Sequence, residues 1–234
     1  MMIRRSARGL KSDDVIMTTA TAQAPKVAQV RMQERHVRRL GIAEYEPLWR
    51  AMQSFTTGRS AGTRDEIWVL EHPPVYTLGV AGKSEHLPRV DNGIPVIKID
   101  RGGQITYHGP GQIVVYLLLD LRRRGIGVRT LVRRMEQAVI DLLGEYAIAA
   151  RNKVEAPGVY VDEAKIAALG LRVKNGCCYH GLALNVDMDL SPFHAINPCG
   201  YPGLAVTQLR DLGVSASAEA VGEQLVKHLM RVLP

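Results

Sequence analysis

The sequence has few cysteines, and their placement indicates neither a disulfide framework nor a metal site. The 234 residues include three, Cys177, Cys178 and Cys199, without a CxxC pair, which is typical of a reducing compartment. His180 and His194 lie near them in sequence, but no ligand pairs recur at zinc-finger spacing. We therefore expect no disulfide and no metal.

Long apolar runs are also missing. No stretch reaches the ~18 apolar residues typical of a membrane span, and the first 30 residues lack the apolar core of a secretory signal. Most of the net charge of +7 lies in residues 1–40, which hold nine lysines and arginines against three acidic residues. We predict a disordered basic leader at 1–32, one domain at 33–234, a cytoplasmic location and no membrane contact.

Aromatic residues are scarce, at 5% of the chain, so little surface is available for stacking on bases. Because the basic excess belongs to the leader rather than to a face of the domain, we expect no nucleic-acid binding. A phosphate loop is missing too, since neither the Walker spacing nor GxGxxG occurs.

Hydrophobic periodicity predicts three long helices, at 43–58, 128–146 and 218–233, the second with an apolar stripe that begins at Val128. Short β-branched runs predict strands at 66–72, 95–100, 112–121, 156–162, 164–173 and 178–188, and more weakly at 205–210. The run 112–121 is apolar on both faces, which predicts a central strand. Because strands follow one another through short turns, the predicted fold class is α+β, a single domain with a mixed sheet flanked by helices.

The segment DRGGQITYHGPGQ, residues 100–112, combines four glycines with several hydrogen-bond donors. Glycines let a backbone approach a ligand closely, so the segment could bind substrate. An Ω-loop packed on itself is the alternative. The later segment YHGLALNVDM also has two interpretations: it is either a ligand-binding turn at Gly181 or a core strand that begins at Gly181.

Two residues are candidates for catalysis. Lys165 lies among small and apolar neighbours in AKIAALGLRV; its amine either extends into water from a strand end or is buried in a cleft with a depressed pKa. Cys199, in NPCGYPG, is on a turn because Pro198 and Pro202 lack amide hydrogens. Its thiol is either a small packed apolar group or a nucleophile.

Four segments in order resemble the lipoyl(octanoyl) transferase family: EHPPVYTLG, DRGGQITYHGPGQIVVYLLLDLR, KIAALGLRVKNGCCYHGLALNVDMDL and INPCGYPGLAVTQL. They span about residues 37–213, and the departures are the long leader and the pair Cys177-Cys178, which we interpret as packed. The resemblance implies a fold shared with lipoate- and biotin-protein ligases. It also implies that Cys199 carries an acyl thioester and that Lys165 lowers the pKa of its thiol.

The same resemblance implies a substrate site made of three segments. Its residues are Arg101, Gly102, Gly103, Gln104, Ile105, Thr106, Tyr107 and His108, then Ala168, Leu169 and Gly170, and finally Gly181, Leu182 and Ala183.

The implied reaction moves an octanoyl group from octanoyl-acyl carrier protein to a lysine of lipoyl domains. The implied acceptors are the lipoyl domains of 2-oxoacid dehydrogenases and the glycine cleavage H protein, and no cofactor is expected. The alternative is an ATP-dependent lipoate-protein ligase-like enzyme on the same fold, which needs no cysteine nucleophile. A binding module without catalysis is a second alternative.

Overall fold

A computed structural model describes residues 35–197 and 203–234; the predicted leader at 1–32 and the turn that carries Cys199 lie outside these described residues. The described chain contains ten strands and three long helices. In chain order they are β1 (His36–Ile42), α1 (Tyr45–Thr57), β2 (Glu66–Glu71), β3 (Val75–Leu78), β4 (Val96–Lys98), β5 (Ile105–His108), β6 (Gln112–Asp120), α2 (Val128–Glu145), β7 (Arg151–Asn152), β8 (Gly158–Val161), β9 (Ala164–Lys174), β10 (Cys177–Asn185) and α3 (Ala218–Val232).

The strands form two sheets. Seven of them pair in the order β1-β2-β6-β10-β9-β8-β7, and the other three in the order β4-β3-β5. Both sheets are mixed, because β1 runs parallel to β2 and β3 parallel to β4, whereas the other pairs are antiparallel. The α+β class with a mixed sheet is therefore confirmed, and β6 lies inside the larger sheet as predicted.

Helices cover both faces of the large sheet, which explains why its inner strands are apolar throughout. On β2, Ile67 and Val69 belong to the core beneath α2 and α3, while Trp68 and Leu70 pack with Met52 of α1. The division follows from the strand period of two, which sends successive side chains to opposite faces. Within the described residues, no helix has the length and apolar character to cross a membrane.

The structure differs from the sequence-based expectations at several points, and strands β3 and β7 are among the elements with no predicted counterpart. Strand β1 was not predicted, because HVRRLGI is mostly exposed at the sheet edge and shows no apolar alternation. Strand β5 replaces part of the predicted loop at 100–112, so the Ω-loop interpretation was wrong there. The weak strand at 205–210 is only a single bridge at Val206, followed by a 3₁₀ turn. Val128, placed on the apolar stripe of α2, is 41% exposed at the first turn of the helix.

A buried carboxylate ties together the ends of several elements. Asp65, 1% exposed, accepts hydrogen bonds from the guanidinium groups of Arg59, Arg123 and Arg124, and from the backbone N–H of Asp120 at 3.0 Å. Burial alone would raise the pKa of Asp65, but the Asp120 N–H and the arginines outweigh it and lower the pKa below its usual value. Such a carboxylate stabilises the fold only while it is ionised.

We predict that Asp65→Asn lowers the free energy of unfolding by about 3–5 kcal/mol, because it removes the counter-ion of three arginines at a buried site. Urea unfolding at pH 7 measures the loss. Because the folded pKa is lowered, the difference from wild type should be complete above pH ~4 and should shrink as pH falls further. Asp187→Asn is the control: its ion pair with Arg210 is exposed, so it should cost less than about 1 kcal/mol.

Candidate active site

A cavity lies against β9 and β10 on the α1 side of the large sheet. About 510 Å³ of space free of protein atoms, part of it open to solvent, lies between its walls. Twelve predicted substrate residues line it: Arg101, Gly103, Gln104, Ile105, Thr106, His108, Ala168, Leu169, Gly170, Gly181, Leu182 and Ala183. Four further residues that the sequence did not indicate complete the wall: Tyr45, Val114, Tyr116 and His180.

Small residues in register create the space. Gly170 of β9 pairs with Gly181 of β10, and Ala168 pairs with Ala183. A Cβ on Gly170 would lie 3.1 Å from Cδ of Arg101, so the glycine leaves room for that side chain. A Cβ on Gly181 would lie 2.0 Å from the carbonyl oxygen of Val115. Gly181 is thus required by strand packing. The core-strand interpretation was right, although β10 begins at Cys177 rather than at Gly181, and the turn interpretation was wrong.

Two predicted substrate residues do not line the cavity. Tyr107 packs in a separate apolar cluster against Tyr76 and Phe193, with ring centroids 5.5 Å from each. Gly102 donates its backbone N–H to the carbonyl of Leu171 at 2.9 Å. This bond fixes the 100–104 segment against β9, so Gly102 supports the wall from behind it.

Arg101 is buried and held by backbone and side-chain oxygens. Its Nη2 donates to the carbonyl oxygen and to Oγ1 of Thr77, at 2.7 and 2.9 Å, and its Nη1 donates to the carbonyl of Gly102 at 3.0 Å. The side chain is 8% exposed. A fixed cation therefore lies at the wall of an otherwise mainly apolar cavity.

His108 continues a buried chain of hydrogen bonds from this arginine. Its Nδ1 lies 2.7 Å from Oε1 of Gln112, whose Nε2 donates to Oδ1 of Asn185 at 2.9 Å. Gln112 Oε1 must then accept, so Nδ1 of His108 carries the proton, and Nε2 faces Oγ1 of Thr77 at 3.4 Å. Burial and the neighbouring His72 hold the pKa of His108 well below its usual value, so the ring is neutral.

A second neutral histidine supports the tyrosines of the wall. Nδ1 of His72 lies 2.6 Å from the carbonyl oxygen of Ala43, and Nε2 lies 2.7 Å from the hydroxyl of Tyr116. Because a carbonyl only accepts, Nδ1 donates and Nε2 accepts from Tyr116. Burial lowers the pKa of His72 to about 4 and raises the pKa of Tyr45 and Tyr116.

His180 forms one end of the cavity together with a strongly hydrogen-bonded carboxylate. Its Nε2 donates to Asp100 at 3.1 Å, and its backbone has φ of 63°. Asp100 also accepts from Trp49 at 2.8 Å, from Gln53 at 3.0 Å and from the hydroxyl of Tyr179. Burial opposes ionisation of Asp100, but the donors led by His180 outweigh it and lower its pKa.

Lys165 is buried, at 4% exposure, so it does not extend into water. Its Nζ donates to the carbonyl of Pro157 at 3.2 Å and lies 5.2 Å from the ring centroid of Tyr160. The loop before β8 is fixed by Glu136 of α2, which accepts from the N–H of Gly158 at 3.0 Å and from Asn152 at 2.9 Å. Helix α2 thus positions the loop that holds the amine.

The chain that leaves the Cys199 turn pairs with Lys165. The N–H of Lys165 donates to the carbonyl of Ala205 at 2.8 Å, and the N–H of Thr207 donates to the carbonyl of Lys165 at 3.0 Å. Cys199 itself lies outside the described residues.

The other two cysteines are packed, as expected. Cys178 is fully buried, which raises the pKa of its thiol to about 12, and Cys177 also has a raised pKa because of burial. Neither is therefore a thiolate near neutral pH. Among the residues described, no group of three or more histidine, cysteine or acidic side chains could hold a metal ion.

The arrangement suits chemistry on a substrate with an apolar part. The cavity wall is formed largely by small and aliphatic residues of β9 and β10, and a buried amine lies farther along β9. The neutral histidines and tyrosines fix the wall without adding charge to it.

Comparison with known proteins agrees with this geometry. The family described as lipoyl protein ligase A/B catalytic domain matches residues 44–230. An octanoyltransferase of an Azoarcus species is 67% identical over 85% of this chain and 87% of its own. The resemblance read from the sequence motifs is confirmed.

Solved structures share the fold at low identity. Lipoate-protein ligase A bound with ATP superposes with a TM-score of 0.70 at 18% identity, covering 86% of this chain and 85% of its own. A biotin protein ligase of Aquifex aeolicus in complex with biotin and ATP superposes with a TM-score of 0.55 at 14% identity, and the match covers 85% of this chain and 70% of the ligase chain. The predicted relation to both ligase folds is confirmed, and the octanoyltransferase identity together with the family match shows that this chain is an acyltransferase of the lipoyl protein ligase A/B catalytic family.

Proposed function

We propose that this enzyme takes an octanoyl group from octanoyl-acyl carrier protein onto the thiol of Cys199 and passes it to a lysine of a lipoyl domain. We also propose that residues 33–234 form the catalytic domain. The observation that carries the proposal is a buried lysine on the strand that walls a largely apolar cavity, anchored to the chain that leaves the Cys199 turn.

Two exchanges complete the reaction. The Cys199 thiolate attacks the donor thioester carbonyl, and the carrier thiolate leaves and takes up a proton. The amine of the acceptor lysine then attacks the acyl-enzyme, forms the amide, loses a proton and releases the Cys199 thiolate. The first exchange is close to thermoneutral and the second runs downhill, so this route needs no ATP. Backbone N–H groups at the Cys199-Gly200 turn would stabilise the oxyanion.

Lys165 would serve both steps. As a cation it would favour the Cys199 thiolate, and as an amine it would accept the proton of the incoming lysine. Its burial and its bond to Pro157 support this role, because a fixed group in a site of low dielectric interacts more strongly than a solvated one.

The cavity would hold the acyl chain. Burying its methylenes at ~0.8 kcal/mol each contributes up to about 5 kcal/mol, which favours a medium chain over a short one. Val114, Ala168 and Ala183 would provide apolar contacts, and Gly170 leaves space in the wall.

The acyl-enzyme can be observed directly. We predict that incubation with octanoyl-acyl carrier protein, followed by intact-mass analysis and peptide mapping, gives one octanoyl adduct on Cys199 that hydroxylamine removes. Cys199→Ala should give none, and Cys178→Ala is the matched control that should still be acylated. An adduct on Cys177 or Cys178 would contradict the assignment.

Substitutions of Lys165 separate its two roles. We predict that Lys165→Ala raises the thiol pKa of Cys199, measured by the pH dependence of alkylation, toward the usual ~8.5. Lys165→Arg keeps the charge but cannot lose a proton near neutral pH, so it should acylate and then fail to transfer. Transfer by Lys165→Arg at the wild-type rate would reject the role as base, and an unchanged pKa and turnover in Lys165→Ala would reject both roles.

The alternative is an ATP-dependent ligase that activates free octanoate, as the shared fold allows. A transfer assay without nucleotide distinguishes the two. We expect full transfer from octanoyl-acyl carrier protein, and no product from free octanoate with ATP and magnesium. Strict dependence on ATP with free octanoate would favour the ligase.

A further inference from the structure

The following inference deepens the proposed function and rests on it. In that proposal the reacting end of the acyl chain lies near Lys165, and the chain extends along β9 past Ala168. His180 is paired with Leu171 of β9, six positions beyond Lys165. A Cβ on Gly158 would lie 3.2 Å from Nζ of Lys165, and Gly158 pairs with Ala168, so the amine lies level with Ala168. The distance from Ala168 to Leu171 along the strand is about 10 Å. An extended eight-carbon chain is about 9 Å long, because each of its seven bonds advances the zigzag by ~1.3 Å, so its end would reach the His180 side of the cavity.

The wall at that end carries hydrogen-bond acceptors, and an acyl chain has no donor to offer them. Nε2 of His180 donates to Asp100, so in the neutral ring Nδ1 is an acceptor. Nδ1 is buried and has no hydrogen-bond partner within the described residues, and the same holds for Oε1 of Gln104. Both residues line the cavity. A methylene packed against such atoms gives them no donor.

The ring also resists displacement. Asp100, its partner, accepts further hydrogen bonds from Trp49 and Gln53 of α1 and from Tyr179. The ring stacks on Tyr179 at 5.0 Å between centroids and meets the edge of Tyr116 at 6.0 Å. A longer chain would have to break this arrangement to pass.

We propose that His180, held by Asp100, is the end wall of the acyl cavity and sets the upper limit on acyl-chain length. Up to eight carbons, each added methylene is buried among apolar side chains and should raise binding about fourfold. Beyond that length the next methylenes meet His180 and Gln104, and the gain stops or reverses. His180 is thus a specificity-determining residue that does not take part in the chemistry.

The test is competition among octanoyl-, decanoyl- and dodecanoyl-acyl carrier protein, with the Cys199 adducts quantified by intact mass. Wild type should favour octanoyl at least tenfold over decanoyl. His180→Leu removes the polar atoms and the bond to Asp100, so the decanoyl-to-octanoyl ratio should rise at least tenfold. His180→Gln keeps a donor toward Asp100 and a polar wall, and should keep the wild-type ratio. Both variants meet the same positive φ, so any backbone strain is shared.

His228→Leu is the control for loss of a buried histidine, because His228 bonds to Glu145 away from the cavity; its ratio should equal that of wild type. An unchanged ratio in His180→Leu, or a wild-type preference that keeps rising from octanoyl to dodecanoyl, would overturn the inference. The wild-type series decides even where a variant folds poorly. Absence of any adduct on wild type would instead reject the proposed function, and this inference with it.

Discussion

The register of β9 against β10 is the constraint on which the site depends. It sets Gly170 beside Gly181 and Ala168 beside Ala183, so the two strands have little side-chain volume over several positions. Because the period of a strand is two, a shift of one residue would send the small residues of β9 to the opposite face. Lys165 is the second residue of the same strand, so one pairing fixes both the wall of the cavity and the distance from that wall to the amine.

The large sheet can keep this register because it is covered on both faces. Strand β10 is the fourth of seven, and all nine of its residues are buried. Helices α2 and α3 fill one face with a continuous apolar core, and α1 covers part of the other. The cavity occupies the part of the second face that α1 leaves uncovered, beside the smaller sheet.

Buried polar groups connect the smaller sheet to the larger one. From Arg101 the hydrogen bonds continue through Thr77, His108 and Gln112 to Asn185, whose amide donates to the carbonyl of Thr207 at 2.9 Å. Thr207 in turn donates to the carbonyl of Lys165. A buried chain of this kind tolerates few arrangements, because a broken link leaves an unpaired polar atom. It therefore fixes the cavity wall and the Lys165 segment relative to each other.

Local sequence was sufficient for the long, strongly periodic elements. All three helices and the apolar strands β2, β6, β9 and β10 follow from patterns that packing reinforces. Patterns failed where an element had no apolar period of its own. Strand β1 is polar at the sheet edge, and β5 lies inside a glycine-rich segment.

For the site, the sequence by itself determined the candidate segments, because their glycines, donors and motif order are local properties that resemble a known family. Only the tertiary structure decided that Lys165 is buried, since its burial comes from the loop that α2 holds. It also added Tyr45, Tyr116 and His180 to the cavity. These side chains come from elements far apart in sequence. Sheet pairing brings them to one wall, and a local sequence pattern cannot predict such long-range pairing.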